Sequence, residues 1–221
     1  MAHLKFYFCE ECKQYITNRE LDQHSLKFPS HNVIEMFSDK KRINLSKFLS
    51  LILRHKPDII GIKLKVNGYT EQTLDELIEK LRERERFKWV DRGRIEALID
   101  LDRKGRFEIS NNRIRARYGH SISWINIELY DKDIPNYLYH GTNEDSYSKI
   151  KLEGLKPMGR NLVHLTSSLT DAKIVGRRHK GKLVLLKIDA KQALEDGIDI
   201  WKAGKNVYVS NFIPNRYITQ I

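Results

Sequence analysis

The two cysteines of the chain lie close together near its N-terminus, and they strongly constrain how the first part of the chain can fold. Cys9 and Cys12 form the sequence FCEEC, and His24 and His31 follow with the spacing C-x2-C-x11-H-x6-H. Two thiolates at this spacing can hold one side of a tetrahedral Zn²⁺ ion, and two imidazoles can complete it. A segment this short needs such a cross-link to fold. The pattern therefore predicts a zinc-finger-like segment in residues 1–38 with one structural zinc ion.

The spacing before the fourth ligand departs from the usual zinc-finger pattern. Six residues separate His24 from His31, whereas roughly three to five is the usual number. A redox-active C-x-x-C pair is one alternative, although no strand–helix–strand pattern surrounds the cysteines. Four residues with no common ligand are the other alternative. We prefer the zinc interpretation, because it explains how so short a segment would fold.

The net charge of the chain favours a polyanionic partner. The sequence has 40 Lys and Arg against 29 Asp and Glu, a formal charge of +11. Such an excess is typical of nucleic-acid-binding proteins, although a Lys/Glu-rich protein from a hot environment is an alternative. No apolar run approaches the roughly 18 residues that span a membrane, and the first residues lack a signal-peptide core. We expect a cytoplasmic, monomeric protein with no membrane partner.

An amphipathic helix is predicted in the stretch LSKFLSLILRHKP. Its apolar residues recur at helical spacing: Leu45, Phe48, Leu49 and Ile52. Asn44 or Ser46 would cap its start. The helix should end at Arg54 and His55, because the residue before Pro57 is biased out of the helical conformation. Helical spacing of about 100° per residue places His55 beside the apolar face and Arg54 further toward water.

The rest of residues 39–130 predicts two more helices and a hairpin. IKLKVNGYT alternates like a strand that ends in a turn, and helical spacing returns at about 71–85 and again around Ile95. KGRFEISNNRIRARYGHS then indicates two strands joined by a turn at Ser110-Asn111-Asn112. Helices followed by a hairpin in a basic context suggest a winged helix, a module that usually binds nucleic acid or protein.

Three arginines alternate along the second predicted strand of this hairpin. Arg113, Arg115 and Arg117 would share one face of that strand. Neighbouring guanidinium groups repel each other unless an anion lies between them, and arginine suits bidentate contacts with phosphate. An edge strand protected by solvated charges is the alternative.

Residues 131–221 predict a mixed α/β sheet domain. Short apolar segments typical of strands are NYLYHGT, NLVHLTSS, KLVLLKIDA, NVYVSNFIP and YITQI. A helix is predicted at about 143–153 with Gly154 at its C-terminus, and another in DAKIVGRRHKG. Neither the glycine-rich Rossmann motif nor the P-loop motif is present in the sequence.

Together, several of these stretches resemble the RNA 2′-phosphotransferase family, the tRNA 2′-phosphotransferases that complete certain splicing repairs. They are LSKFLSLILRHKP, RIRARYGHS, LYHGT, GLKPMGRNLVHLTSS, VGRRHKG and VYVSNFIPNRYI, and the resemblance spans residues 45–221 in the family's order. The family implies an α+β fold. Residues 39–130 would form a winged-helix RNA lobe, and residues 131–221 an ADP-ribosyltransferase-like lobe that binds NAD⁺.

The reaction implied by this resemblance has two steps, with NAD⁺ as co-substrate. The RNA 2′-phosphate attacks C1″ of the nicotinamide ribose and expels nicotinamide, and the ribose 2″-hydroxyl then attacks the phosphorus. RNA with a 2′-hydroxyl and ADP-ribose 1″,2″-cyclic phosphate are the products. The implied partner is an RNA that bears a 2′-phosphate, and tRNA is the family's substrate.

The resemblance also implies which residues act. The family's catalytic set corresponds to Arg54, His55, Arg115 and Arg178. Guanidinium groups suit this chemistry because they can position and stabilise an anionic phosphate, and His55 would move protons or hold an oxygen. The residues that match the family's NAD⁺-binding motifs are His140, Gly141, Thr142, His164 and Ser167.

The chain departs from the family's pattern at three positions outside the catalytic set. Tyr118 replaces a common glutamine before Gly-His-Ser, Leu162 replaces the first histidine of an HVHL motif, and Lys65 replaces an acidic residue. The resemblance leaves open whether these departures alter the contacts with RNA or the affinity for NAD⁺. Two other functions fit the same sequence: an ADP-ribosyltransferase that acts on nucleic-acid phosphates, and a zinc-containing nucleic-acid-binding protein without catalytic activity.

Overall fold

The computed structural model describes residues 5–129 and 133–221. The chain divides into two compact units, Met1–Ala116 and Arg117–Ile221. Both contain helices and antiparallel sheets, so the mixed α/β content agrees with the predicted α+β class. In the described residues, no helix is long and apolar enough to cross a membrane.

The first unit begins with a small sheet and a helix. The strands β1 (Phe6–Cys9), β2 (Gln14–Thr17) and β3 (Val33–Phe37) pair in the order β2-β1-β3. The helix α1 (Asn18–Lys27) follows β2, and Thr17 with Glu20 forms a capping box at its start. None of the residues of α1 is buried. The sheet therefore supplies most of this segment's apolar core, which includes Phe6 and Phe37.

This N-terminal segment packs onto the helices that follow it in the same unit. The Arg94 guanidinium donates to the Met36 carbonyl oxygen (2.9 Å), and the Tyr15 hydroxyl lies 3.4 Å from the Glu96 carboxylate. The rings of Phe37 and Trp89 lie 5.7 Å apart. The segment therefore shares buried surface with the helical part of the unit.

Three helices and a hairpin complete the first unit. They are α2 (Asp39–Arg54), α3 (Leu74–Arg82), α4 (Arg92–Asp100), β4 (Phe107–Ser110) and β5 (Arg113–Ala116). The predicted start of α2 at Asn44 or Ser46 is wrong, because Ser38 caps it by accepting from the Lys41 amide. Most of IKLKVNGYT is irregular, with one isolated bridge between Leu64 and Thr70 in place of the predicted strand.

The predicted hairpin turn is confirmed. Asn111 and Asn112 adopt φ of +49° and +55°, the left-handed conformation that a two-residue type I′ hairpin turn requires. The strand β5 ends at Ala116, so Arg117 does not share a strand face with Arg113 and Arg115. The predicted row of three arginines is reduced to two.

The second unit is built on a six-stranded antiparallel sheet with the strand order β11-β8-β6-β7-β10-β9. Its strands are β6 (Tyr137–Asn143), β7 (Val163–Thr166), β8 (Leu183–Asp189), β9 (Trp201–Lys202), β10 (Val207–Ser210) and β11 (Ile218–Gln220). Its helices are α5 (Glu144–Glu153), α6 (Leu169–Gly176) and α7 (Ala190–Glu195). The central strands are buried by alternate apolar residues, such as Leu138, Leu165, Leu186 and Ile188.

The boundary between the units lies between Ala116 and Arg117, earlier than the predicted boundary between residues 130 and 131. The segment after Ala116 belongs to the second unit because it packs there. Tyr118 is buried with Val209 of β10. The Asn161 amide donates to the His120 carbonyl oxygen (3.0 Å). The assignment of residues 1–38, 39–130 and 131–221 to functional domains stays a prediction.

Candidate active site and metal centre

The four predicted metal ligands come together where strand β1 ends, at Cys9. The ligand atoms of Cys9, Cys12, His24 and His31 all lie within 4.8 Å of one another. Cys12 Sγ lies 3.5 Å from His24 Nε2 and 3.3 Å from His31 Nδ1. Zinc bonds of about 2.0–2.3 Å in a tetrahedron separate ligand atoms by about 3.5 Å. The donor set and its spacing therefore fit a tetrahedral zinc ion, and a bound ion would cross-link the sheet and the helix.

The unusual spacing of the two histidines has a structural explanation. The helix α1 ends at Lys27, with His24 in its last turn. The chain then turns back, and the His31 amide donates to the Phe28 carbonyl oxygen (3.2 Å). His31 approaches the cysteines with Nδ1, whereas His24 does so with Nε2. A loop therefore supplies the fourth ligand atom, which a continuous helix could not do at this spacing.

We expect purified protein to contain about one zinc ion per chain, the number for one tetrahedral site. Replacing Cys12 with serine should remove the metal and lower the melting temperature of the first unit, because its N-terminal segment packs on Trp89 and Arg94. Elemental analysis and calorimetry measure both effects. Ser25→Ala on the exposed face of α1 is the matched control, and a metal-free wild type would contradict the prediction.

In the second unit, strand β6 and helix α6 approach each other closely where the predicted His-Gly-Thr motif lies. A Cβ atom added at Gly141 would collide with the Ala172 carbonyl oxygen and lie 2.9 Å from the Gly176 amide nitrogen. Thr142, the next residue, is buried. Glycine at position 141 thus allows α6 to lie directly against the strand, which places the loop after α6 near the end of β6.

Gly141→Ala should therefore destabilise the second unit by about 3 kcal/mol, the upper end of the range for overpacking a core. The melting temperature should fall by more than about 10 °C. Gly159→Ala is the control, because an added Cβ atom there meets nothing within 4 Å. Equal melting temperatures for the two variants would show that β6 and α6 are not packed as described.

The rings of two histidines in the second unit are oriented by hydrogen bonds to backbone carbonyl groups. His140 Nδ1 lies 3.0 Å from the His164 carbonyl oxygen, and His164 Nδ1 lies 2.9 Å from the Leu162 carbonyl oxygen. A carbonyl oxygen only accepts, so each Nδ1 carries a proton and donates it. Burial, and then the electrostatic effects of His179 and Arg160, lower the pKa of His140. His140 is therefore neutral near pH 7, and its Nε2 can accept a hydrogen bond from a hydroxyl group.

Ser167 and Ser168, which follow β7, have different structural roles. The Ser168 hydroxyl accepts from the Asp171 amide (3.2 Å) and so caps α6. The Ser167 amide donates to the Asn206 carbonyl oxygen (3.3 Å). Ser167, the predicted ligand-binding residue, is therefore fixed by its backbone between strand β7 and the cap of α6.

A cavity of about 580 Å³ lies within the second unit beside His164. Its walls include three rings, those of Tyr118, His164 and Trp201, and the rings of Tyr118 and His164 lie 5.9 Å apart. Its polar lining includes three side-chain amides: Asn126, Asn161 and Asn211. Rings and amides together suit a heteroaromatic ligand, because rings stack on its faces and amides pair with its edge.

Arg160 directly precedes Asn161, a residue of the cavity wall. Its side chain is partly exposed, and partial desolvation lowers its pKa; Tyr118 opposes this effect, and Arg178 lowers the pKa further. Burial and then His179 and Arg160 lower the pKa of His140. A bound anion would offset the repulsion between Arg160 and Arg178. Arg178 was predicted from the sequence, whereas Arg160 was not, although it is the cation that directly precedes the segment NLVHLTSS.

In the first unit, the predicted exposures of Arg54 and His55 are reversed. Arg54 is 8% exposed, and its guanidinium lies 5.8 Å from the Phe107 ring. His55 is exposed at the C-terminal cap of α2, with a non-helical φ of −132°. The predicted position of His55 was wrong because His55 is not in a helical conformation, so helical spacing does not apply to it. The predicted exposure of Arg54 was wrong because its contact with Phe107 is distant in sequence and local periodicity cannot indicate it.

Arg115, the other predicted catalytic residue of this unit, is held firmly. Its guanidinium pairs with the Glu108 carboxylate across the hairpin and donates to the Asn67 carbonyl oxygen (2.9 Å). It also lies 4.6 Å from the centre of the Tyr69 ring. These contacts fix the position of the guanidinium. Arg54, His55 and Arg115 thus belong to the first unit, and Arg178 belongs to the second.

Comparison with known proteins gives one consistent family. Residues 40–212 match the model of the RNA 2′-phosphotransferase, Tpt1/KptA family. A probable RNA 2′-phosphotransferase 2 of Archaeoglobus fulgidus is 37% identical over 210 residues, 95% of this chain and 90% of the relative. Probable RNA 2′-phosphotransferases of Hyperthermus butylicus and Fusobacterium nucleatum are 36% and 37% identical, over 83% and 80% of this chain and 82% and 97% of the relatives.

Proposed function

The chain belongs to the RNA 2′-phosphotransferase, Tpt1/KptA family, and on this premise we propose that it transfers an internal 2′-phosphate of RNA to NAD⁺. The family supports removal of the 2′-phosphate from RNA. The observation that best supports the dinucleotide as acceptor is the cavity with rings and amides, whose wall residue Asn161 directly follows Arg160; Arg160 interacts electrostatically with Arg178. A base would fill the cavity, and a pyrophosphate would neutralise the cations.

In the proposed first step, an oxygen of the RNA 2′-phosphate attacks C1″ of the nicotinamide ribose, and nicotinamide leaves with the electrons of the broken bond. A phosphate dianion is already a nucleophile, so this step requires positioning more than a general base. His140 suits the ribose because its neutral Nε2 can accept from a hydroxyl. We assign His140, Gly141, Thr142, His164 and Ser167 to the binding of NAD⁺.

In the proposed second step, the ribose 2″-hydroxyl attacks the phosphorus. The 2″-hydroxyl gives up its proton as its oxygen bonds to phosphorus, the bond from phosphorus to the RNA 2′-oxygen breaks, and that 2′-oxygen takes up a proton. Arg54, Arg115 and Arg178 would stabilise the charge on the phosphorus oxygens, and exposed His55 would accept the proton of the 2″-hydroxyl and donate one to the 2′-oxygen. The products are RNA with a 2′-hydroxyl and ADP-ribose 1″,2″-cyclic phosphate, which a phosphatase would not form.

We also propose that the four-ligand cluster of the N-terminal segment holds Zn²⁺ in a structural role. Its four donors would fill a tetrahedron, so no position would remain for a substrate. The family match begins at residue 40, after the last of the four ligands, which is His31. The metal would stabilise this segment, and the chemistry would be carried out by residues of the matched region.

Incubation of the protein with NAD⁺ and a short RNA that carries one internal 2′-phosphate tests the proposed function. Nicotinamide should be released only when both substrates are present, in an amount equal to the 2′-phosphate lost. An ADP-ribosylated RNA as the sole end product would instead indicate an ADP-ribosyltransferase that acts on nucleic-acid phosphates. Absence of turnover, with RNA binding retained, would indicate a non-catalytic binding protein.

A further inference from the structure

Trp124 is a large aromatic residue at the surface of the second unit, and the proposed chemistry does not use it. Its side chain is 51% exposed, whereas the other two tryptophans of the chain, Trp89 and Trp201, are partly covered. Tryptophan is usually well buried on average. A single exposed apolar residue does not by itself indicate a binding site. The residues around Trp124 are therefore needed to infer a function for it.

Trp124 stands on a turn whose backbone is held in place. The Ile125 amide donates to the Ile122 carbonyl oxygen (3.2 Å), which closes the turn around Ser123 and Trp124. The Asn161 side chain donates to the same Ile122 oxygen (3.0 Å). Ile125 is buried and anchors the end of the turn. The indole is therefore presented to solvent by a fixed backbone, which lowers the entropy lost when a ligand stacks on it.

The turn also forms part of the wall of the cavity, but Trp124 does not. Ser123, Ile125 and Asn126 line the cavity, whereas the Trp124 side chain is exposed outside that lining. The cavity already has aromatic walls in Tyr118 and Trp201. A ligand that stacks on Trp124 therefore lies next to the cavity and is not the ligand inside it.

The residues that contact the turn indicate the chemical class of that ligand. Asn161, whose side chain binds the turn, directly follows Arg160, and Arg160 is exposed. An aromatic platform with a cation on a neighbouring segment is an arrangement by which proteins bind single-stranded nucleic acid, with the base on the ring and the phosphodiester near the cation. A dinucleotide would occupy the cavity, whereas an RNA chain continues beyond its reacting phosphate.

We propose that Trp124 stacks on a nucleobase of the substrate RNA that adjoins the 2′-phosphorylated nucleotide. Trp124 then selects RNA with an unstacked base at that position, and RNA whose neighbouring base is paired in a duplex is a poorer substrate. This inference rests on the proposed function, since it assigns a residue to the RNA of that reaction.

The test compares Trp124→Ala, Trp124→Phe and the wild type, as full-length proteins, on two kinds of short RNA. Both kinds carry one internal 2′-phosphate. In the second kind an abasic ribose replaces the neighbouring nucleotide, on the 5′ side in one form and on the 3′ side in the other. Stacking of one base on a ring changes binding by roughly 5- to 150-fold. Trp124→Ala should raise KM for the first RNA within this range, with little change in kcat or in KM for NAD⁺.

The abasic RNA separates stacking from a general loss of structure. When the abasic ribose stands in place of the base that stacks on Trp124, Trp124→Ala and the wild type should have equal KM for that RNA. Trp124→Phe should retain most of the affinity for the normal RNA. Tyr137→Ala is the matched control, because Tyr137 is another exposed ring of the same unit, at 45%. It should behave like the wild type on both RNAs.

Three results would overturn the inference: an unchanged KM for RNA in Trp124→Ala, an equal loss on normal and abasic RNA, or a loss confined to KM for NAD⁺. The last result would assign Trp124 to the dinucleotide. If the wild type does not turn over the RNA at all, the proposed function fails. Direct binding of the two RNAs, measured by fluorescence anisotropy, then decides the inference by the same comparison.

Discussion

Replacing Arg178 with alanine should lower the rate of 2′-phosphate removal by on the order of 10²- to 10³-fold. The reacting phosphate is anionic in both proposed steps, and loss of one fixed donor to a developing oxyanion has an effect of this size. Arg178 interacts electrostatically with Arg160 and lowers the pKa of that residue, and we expect one anion to interact with both guanidinium groups. The rate should be measured at saturating NAD⁺ and RNA.

The neighbouring residue provides the control for this experiment. Arg177 is also exposed at the end of α6, and no catalytic role is assigned to it. Arg177→Ala removes the same charge and should keep a rate within a few fold of the wild type. Similar losses in Arg177→Ala and Arg178→Ala would mean that general charge near α6 matters, and the assignment of Arg178 to the phosphate would then be wrong.

Arg54→Ala should cause a loss of the same order, but its interpretation requires a check of stability. Arg54 is buried beside Phe107, and replacement of a buried arginine also removes packing. Arg54→Lys keeps a positive charge and most of the side chain's volume while it loses bidentate geometry. Near-normal turnover by a folded Arg54→Ala variant would exclude Arg54 from the catalytic set.

His55→Ala and Arg115→Ala should accumulate an ADP-ribosylated RNA intermediate, the second large effect that we expect. In the first step nicotinamide leaves as a neutral molecule, whereas in the second step charge on the phosphorus oxygens rises further. Only contacts that are stronger in a transition state than in its ground state change the rate of that step. Residues that serve the phosphate should therefore matter more for the second step.

The intermediate can be separated from the substrate RNA by its added mass and charge, in a single-turnover time course. His140→Ala should behave in the opposite way, with a slower first step and no accumulation, because it loses a contact to NAD⁺. Glu108→Gln should resemble a weaker form of Arg115→Ala, since Glu108 positions the guanidinium. If His55→Ala and Arg115→Ala stop before any ADP-ribosylated RNA forms, the proposed division of the two steps is incorrect.

Local patterns predicted much of the secondary structure. The helices α3 and α4 and the hairpin with Asn111 and Asn112 lie where periodicity and turn residues indicated, and α2 ends where predicted but begins earlier, at Asp39. The metal cluster also followed from spacing alone, because ligand chemistry restricts the residues that can form it. The helices and the hairpin depend on residues near one another in the sequence. The cluster depends on the small number of side-chain types that can bind a metal ion.

Features that depend on distant contacts could not be predicted in this way. Arg54 is buried, and its guanidinium lies over the ring of Phe107 from the hairpin. Residues 117–129 join the second unit, where Tyr118 and Asn161 make contacts. Arg160 was missed because its electrostatic interactions with Arg178 and His140 arise only in the folded chain. Helical and strand periodicity contain no information about such neighbours.

The fate of the phosphorus atom tests the central proposal most directly. An RNA with a radiolabelled internal 2′-phosphate is incubated with the full-length protein, with and without NAD⁺, and all labelled products are separated. We predict that the label leaves the RNA only in the presence of NAD⁺ and appears in ADP-ribose 1″,2″-cyclic phosphate. Release of the label as inorganic phosphate without NAD⁺ would contradict transfer to NAD⁺.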